Sequence, residues 1–125
     1  MSTAVDQARE RISNTIGGPV PLQFPPGWTL STSWARAQDD EATVGPSGPA
    51  RFDVLLGDGD RHRTTFAIHG GKLIVECDCA GFRYSEFCAH VAHLWWKWAR
   101  SQLAVTDLDT GKTHLSPPWW LRVNR

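Results

Sequence analysis

The feature that most constrains this chain is a compact group of three cysteines and one histidine. Cys77 and Cys79 are separated by one residue, and eight residues later Cys88 and His90 repeat that spacing. Side chains two positions apart on an extended segment lie on the same side, so both members of the first pair can reach one ion. Three thiolates and one imidazole form a complete tetrahedral ligand set for zinc. The spacing therefore predicts one structural Zn²⁺ held by all four side chains.

Other interpretations of the same residues are weaker but stay open. An odd, clustered set of cysteines is a poor disulfide framework, and Cys-x-Cys is not the usual Cys-x-x-Cys spacing of a redox dithiol. His93, one helical turn after His90, could compete as the fourth ligand. A metalloenzyme needs an open position on the metal, which four protein ligands do not leave. We therefore predict no enzyme, with an open-site metalloenzyme as the less favoured alternative if His90 is not a ligand.

Length and charge limit the remaining classes of protein. The chain has 125 residues, the size of one domain, with 13 Lys and Arg residues against 13 Asp and Glu residues. This balance argues against coating nucleic acid or anionic membranes by bulk charge. The N-terminus has no basic segment followed by an apolar run, and nothing approaches the roughly 18 consecutive apolar residues of a membrane span. The expectation is a cytoplasmic protein that does not associate with membranes.

Apolar periodicity predicts a mixed fold. Alternating apolar residues in 52–56, 64–68 and 73–77, separated by glycine turns, predict a three-stranded antiparallel meander whose last strand carries the first cysteine. Residues 87–103 contain no Gly or Pro and predict a long helix, and 3–16 predict an amphipathic helix. The expected fold class is α+β: a small antiparallel β-meander plus a long helix built around the Cys-x-Cys and Cys-x-His zinc site, with an N-terminal helix.

Two predictions concern the region between the first helix and the meander. Trp28, Leu30, Thr32 and Trp34 alternate with small polar residues, which predicts a strand with one buried face. Residues 39–50 are rich in Gly and Pro and predict a mobile loop.

The arrangement around the cysteines resembles the SWIM-type zinc finger. A strand–turn–strand ends in Cys-x-Cys, a short loop carries the aromatic Phe82, and Cys-x-His opens an apolar helix, over about 52–98. The resemblance places the family's four zinc ligands on Cys77, Cys79, Cys88 and His90. It implies a non-catalytic ββα module that binds DNA or proteins, here in a stand-alone form. His93 stands where members of the recombination-mediator type often carry alanine, which weakens assignment to that subgroup.

With this resemblance the chain divides into three predicted segments. Residues 1–50 form the N-terminal helix and a Pro/Gly-rich extension with one strand. Residues 51–104 form the SWIM-type zinc-finger domain. Residues 105–125 form a turn and a Pro-Pro-Trp-Trp tail that packs on the same domain.

Two sets of side chains are candidates for binding a partner. The basic set lies at a predicted strand start, between the ligand pairs and on the predicted exposed strip of the long helix: Arg61, Arg63, Arg83, His93, Lys97 and Arg100. The aromatic set comes from a surplus of seven tryptophans, and its tail members are Trp119 and Trp120. Because Trp and Arg are enriched at interface hot spots, we favour an adaptor with a protein partner or a homo-oligomer. Binding of single- or double-stranded DNA is the alternative, and no small-molecule substrate is expected.

Overall fold

One antiparallel sheet organises the fold and carries helices on both faces. The computed structural model describes residues 3–14, 18–57 and 59–123. Along the chain the elements are α1 (Ala4–Asn14), β1 (Val20–Pro21), a 3₁₀ turn (Trp28–Leu30), α2 (Thr32–Ala37), β2 (Thr43–Gly48), β3 (Arg51–Leu55), β4 (His62–His69), β5 (Lys72–Cys77), α3 (Ala80–Ser85), α4 (Ala89–Ala99), β6 (Val105–Thr106) and β7 (Thr113–His114). The predicted α+β class is confirmed.

The sheet has five strands in the order β1-β5-β4-β3-β2. The predicted meander of β3, β4 and β5 forms its centre, and the chain adds one strand at each edge. The apolar residues of these strands alternate between the two faces of the sheet as predicted. Phe66 pairs with Val75, and both side chains are fully buried on the face that α4 covers. The intervening Ala67 and Ile74 face the other way, toward α1.

The expectation of a strand over residues 28–34 is wrong. Trp28–Leu30 is a 3₁₀ turn and Thr32–Ala37 is a helix. Ser31 explains the difference, since its hydroxyl accepts the backbone N–H of Trp34 at 3.1 Å and caps the helix. Leu30 is 92% exposed, so the apparent alternation does not mark a buried face.

The mobile loop expected over residues 39–50 is also wrong in part, because it contains β2. Thr43–Gly48 pairs with β3, with a register shift between Pro46 and Gly48. A proline is compatible with this strand because β2 lies at the edge of the sheet, where one row of backbone groups needs no partner. Proline and glycine therefore shape an edge strand here and do not exclude one.

The expected helix over residues 87–103 is shorter in the structure. The helix α4 covers Ala89–Ala99, and Ser101 beyond its end has a φ of 59°. A further short helix, α3, occupies the stretch between the ligand pairs where a polar loop was expected. The N-terminal helix is confirmed as Ala4–Asn14, while the last residues predicted for it lie outside the described part of the chain.

The helix α4 supplies most of the core. Trp98 is fully buried, its ring meets Phe66 edge-on at 5.8 Å, and its indole N–H donates to the carbonyl of His114 at 2.9 Å. Trp95 is also buried, while Trp28 and Trp34 pack partly exposed against the same core. Most of the tryptophan surplus is therefore core packing. None of the described helices has the length and apolarity that crossing a membrane requires.

Asp109 ties the β4–β5 turn to the C-terminal hairpin. Its carboxylate accepts the backbone N–H of Gly70 at 2.7 Å and lies 3.0 Å from Nδ1 of His69. We expect Asp109→Ala to lower the free energy of unfolding by about 1–2 kcal/mol, because both contacts are lost. Chemical denaturation measures this, with Asp60→Ala as the control, since Asp60 is exposed and its side chain makes no hydrogen bond to a described residue. Equal stability of the two variants would contradict the role of Asp109.

Candidate metal centre

Three element ends meet at the predicted ligands. Cys77 is the last residue of β5, and Cys79 is the N-cap of α3. Cys88 is the N-cap of α4, and His90 follows two positions later in the first turn. The hairpin and the two helix starts thus deliver the four side chains to one place. This also resolves the spacing of Cys88 and His90, since the cysteine lies outside the regular helix with an extended backbone.

The four donor groups form a tight, buried cluster. Their candidate ligand atoms all lie within 4.8 Å of one another. The residues are only 3–7% exposed: Cys77, Cys79, Cys88 and His90. Three thiols and one imidazole at this mutual distance can hold one metal ion.

Each sulfur also accepts a hydrogen bond from outside the cluster. The hydroxyl of Thr64 donates to Sγ of Cys77, the backbone N–H of Phe82 to Cys79, and that of Val91 to Cys88, each at 3.4 Å. Two of these donors belong to the first turns of α3 and α4. Such outer hydrogen bonds orient ligands and stabilise thiolate charge.

The protonation of the thiols shows why a cation suits this cluster. A hydrogen bond from Cys77 holds the pKa of Cys79 well below its usual range. Hydrogen bonds to Cys77 and Cys79, together with burial, raise the pKa of Cys88, and the bond to Cys79 raises the pKa of Cys77 to about 11. Three buried sulfurs in contact therefore cannot all ionise by themselves. A dication would offset most of the negative charge of three thiolates.

His90 adds an independent indication. Its Nδ1 is buried and has no hydrogen-bond partner among the residues that the structure describes. A metal ion bound through this nitrogen would supply the partner that it lacks. The donor set, its burial and this orphaned nitrogen fit a metal ion.

Sequence reasoning missed two residues beside the cluster, Thr64 and His62. The ring of His62 lies 4.5 Å from that of His90, centroid to centroid, and its Nδ1 lies 2.7 Å from a carboxylate oxygen of Asp78. The signal was available in the hairpin register, because pairing across the Gly70-Gly71 turn sets Thr64 opposite Cys77. The start of β4 therefore borders the metal ligands.

His93 does not lie on an exposed strip of the helix, which corrects that expectation. It is 0% exposed, outside the ligand cluster, and its Nδ1 lies 2.7 Å from the carbonyl oxygen of Ala37. Burial lowers the pKa of His93, so the neutral ring donates from Nδ1. The unprotonated Nε2 is then buried without a partner in the described ranges. His93 thus joins α4 to α2 and cannot contact a partner directly.

The remaining basic candidates fall into two groups. Arg61, Arg63 and Arg83 are exposed near the metal end of the domain, and Arg63 lies 3.8 Å from the carboxylate of Asp53. Lys97 and Arg100 lie at the opposite end of α4 from Cys88, about 15 Å along the helix axis at 1.5 Å per residue. The structure therefore does not bring the basic candidates together into one patch.

Arg100 is held by local contacts. Its guanidinium lies 4.1 Å from the centre of the Trp96 ring and 3.5 Å from a carboxylate oxygen of Asp40. The guanidinium charge of Arg100 is thus engaged within the domain by a cation–π contact and an ion pair. This arrangement reduces what Arg100 can offer to a phosphate backbone.

The tail tryptophans are exposed on an anchored segment. Trp119 is 95% exposed and Trp120 37% exposed, with Leu115 at 63% nearby in sequence. Before these tryptophans in the chain, the carbonyl of His114 accepts the indole N–H of Trp98. After them, the side chain of Arg122 donates to the carbonyl of Gly70 and its backbone N–H to the carbonyl of Gly71. Large apolar groups are thus presented to solvent by a segment fixed at both ends.

Comparison with known protein families, with curated proteins and with solved structures finds no match to this chain. The role of the centre is therefore inferred from its own residues and their surroundings.

Proposed function

We propose that this protein is a non-catalytic zinc module in which Cys77, Cys79, Cys88 and His90 hold one structural Zn²⁺. The observation that carries the proposal is the closed, buried set of three thiols and one imidazole within 4.8 Å. Thiolate-rich sets favour soft and borderline metals, and a set of three Cys and one His is typical of structural zinc. When bound, the ion would supply cross-linking and charge compensation between β5, α3 and α4.

The order of elements supports a SWIM-type finger as the form of this module. The hairpin of β4 and β5 ends in Cys-x-Cys, and α4 opens with Cys-x-His. This is the ββα order that the resemblance implies, with α3 inserted between the ligand pairs. The aromatic Phe82 in that insertion is buried against the core. A zinc ion here would hold the insertion in place through Cys79.

We further propose that the module works as an adaptor that binds protein, with self-association as its simplest form. The support comes from Trp119 and Trp120, whose exposed rings lie on an anchored segment and suit the centre of an interface. The basic candidates support DNA binding less well, since Arg63 and Arg100 contact carboxylates and His93 is buried. The net charge of zero points the same way.

The adaptor proposal predicts concentration-dependent association through the tail. We expect the light-scattering mass to rise with protein concentration, and Trp119→Ala to weaken this association by about tenfold or more, as hot-spot residues do. Leu30→Ala is the matched control, because Leu30 is equally exposed at 92% but lies in a different segment. A constant monomer mass, together with salt-sensitive DNA binding that Arg61→Ala/Arg63→Ala abolishes, would overturn the proposal in favour of the DNA alternative.

A further inference from the structure

A small cavity lies on the face of the sheet opposite α4. It has a volume of about 280 Å³ and lies between α1 and the strands. One side of α1 forms the roof of the cavity, and three strands form its floor. Its two ends are the segment that leads into β1 and the β2–β3 turn. The lining includes Ala4, Gln7, Pro19, Arg51, Thr65 and Glu76. None of the four metal ligands lines this cavity.

The floor is a single row of paired residues. Arg51 on β3 pairs with Thr65 on β4, which pairs with Glu76 on β5. Directly paired residues point to the same face of a sheet. Because each strand step is about 4.8 Å, the backbones that carry the guanidinium and the carboxylate are roughly 10 Å apart. The cavity floor therefore has a positive end, a hydroxyl in the middle and a negative end.

The polar side chains of this row have no partner among the side chains that the structure describes. With the described side chains of residues 3–10, 18–57 and 59–123, those of Arg51, Thr65 and Glu76 form no ion pair or hydrogen bond. Thr65, at 8% exposed, lines the cavity between the two charged residues. An arginine and a glutamate two strands apart, with a threonine between them, form a polar floor whose side chains can contact a ligand.

The roof over this floor is anchored. The guanidinium of Arg9 on α1 donates to the carbonyl of Leu108 at 3.3 Å. Val5 and Ala8 pack against the small apolar cluster beneath the helix. At the start of α1, the backbone N–H of Asp6 donates to the hydroxyl of Thr3, and that of Thr3 to the carboxylate of Asp6. The first turn of α1 is thus capped by its own residues, so the polar groups left to contact a ligand are those of the floor.

We propose that this cavity binds a small linear zwitterion, whose carboxylate contacts Arg51 and whose amine contacts Glu76. The cavity holds about nine water-sized volumes of roughly 30 Å³ each, which sets a ligand of about that number of non-hydrogen atoms. An ω-amino acid has this size and separates its two charges along a chain. The apolar side chains of Ala4, Ala8 and Pro19 suit the methylenes between them. This is a ligand site and not a catalytic one.

The test uses 6-aminohexanoate as the probe, with the zinc-loaded full chain. Calorimetry and saturation-transfer NMR compare it with hexanoate and hexylamine, which each keep the chain and one of the two charges. We expect each singly charged compound to bind about tenfold or more weakly than the zwitterion, because one charged hydrogen bond is lost. Equal binding of the three compounds, or no binding at millimolar concentration, would overturn the proposal.

Two variants assign the charges. Arg51→Gln should reduce the affinity for 6-aminohexanoate to that for hexylamine, and Glu76→Gln to that for hexanoate. Thr65→Val tests the hydroxyl with little change in volume and should weaken the zwitterion severalfold. Arg61→Gln is the control, since Arg61 is exposed and does not line the cavity. Unchanged affinity in both charge variants, with wild-type melting curves, would contradict the assignment.

Discussion

His90→Ala is expected to abolish stoichiometric zinc binding, whereas His93→Gln keeps one ion per chain. The two histidines lie one helical turn apart, and sequence alone left both open as the fourth ligand. Only His90 belongs to the cluster of donor atoms within 4.8 Å. Nδ1 of His93 is instead 2.7 Å from the carbonyl of Ala37. The pair of variants therefore separates a ligand from a buried histidine that joins two helices.

The two variants are expected to change different quantities: His90→Ala the affinity for zinc, and His93→Gln the free energy of unfolding. Loss of an outer hydrogen bond to a metal ligand already costs about ten- to hundredfold in metal affinity, so loss of the His90 imidazole should cost more. His93→Gln should leave zinc affinity within a few-fold, because glutamine can still donate toward Ala37. It should lower stability by about 1–3 kcal/mol, since the fit in a fully buried position is disturbed. Metal content and stability thus change independently.

The measurement is zinc content by elemental analysis, followed by competition with a chromophoric chelator under reducing conditions. Cys79→Ser serves as a positive control for ligand loss, because its sulfur belongs to the same cluster. Retention of one tightly held zinc by His90→Ala and its loss in His93→Gln would reverse the assignment. Retention in both variants would mean that the imidazole is not needed for binding.

The parts of the fold that sequence could predict are those in which local pattern and tertiary packing agree. The strands around Phe66 and Val75 alternate because one face is buried, and glycine turns set their ends. The ligand cluster was predictable for a similar reason. Metal-binding side chains must converge, so their spacing along the chain carries three-dimensional information. Cys77 and Cys79 needed only an extended backbone to share a face.

The rest depended on contacts that spacing does not encode. Ser31 turns an apparent strand into a helix through one cap, and Pro46 is tolerated because β2 lies at an edge. His93 has the position of a surface residue by helical periodicity but is covered by α2, which was itself not expected. Arg51 and Glu76 lie 25 positions apart by their numbers and share one row of the sheet only through the register of two strand pairs. The Ser31 cap is a local hydrogen bond, whereas the other cases depend on strand pairing or on packing between distant segments.

Removal of the metal should unfold much of this domain. Structural zinc in finger peptides contributes about 10–16 kcal/mol of binding free energy that is also folding free energy. A domain of this size has a total stability of only about 5–15 kcal/mol. The sulfurs of Cys79 and Cys88 also cap α3 and α4, so the apo form keeps three crowded thiols at the starts of two helices. We therefore expect α4 and the strands beneath it to lose fixed packing when the ion is removed.

Tryptophan fluorescence reports this loss directly. Trp95 and Trp98 are buried on α4, so their emission should shift to the red when the helix separates from the sheet, while the exposed Trp119 contributes a constant background. The experiment adds excess chelator with a reductant, and the same chelator already saturated with zinc is the control. The melting transition should disappear or fall by tens of degrees, and readdition of Zn²⁺ should restore it. Because thiolates and imidazole must shed protons to bind the ion, the chelator should act faster and at lower concentration as pH falls. An unchanged melting curve and emission spectrum after zinc loss is verified would mean that the apolar core alone holds the fold and that the metal is not structural.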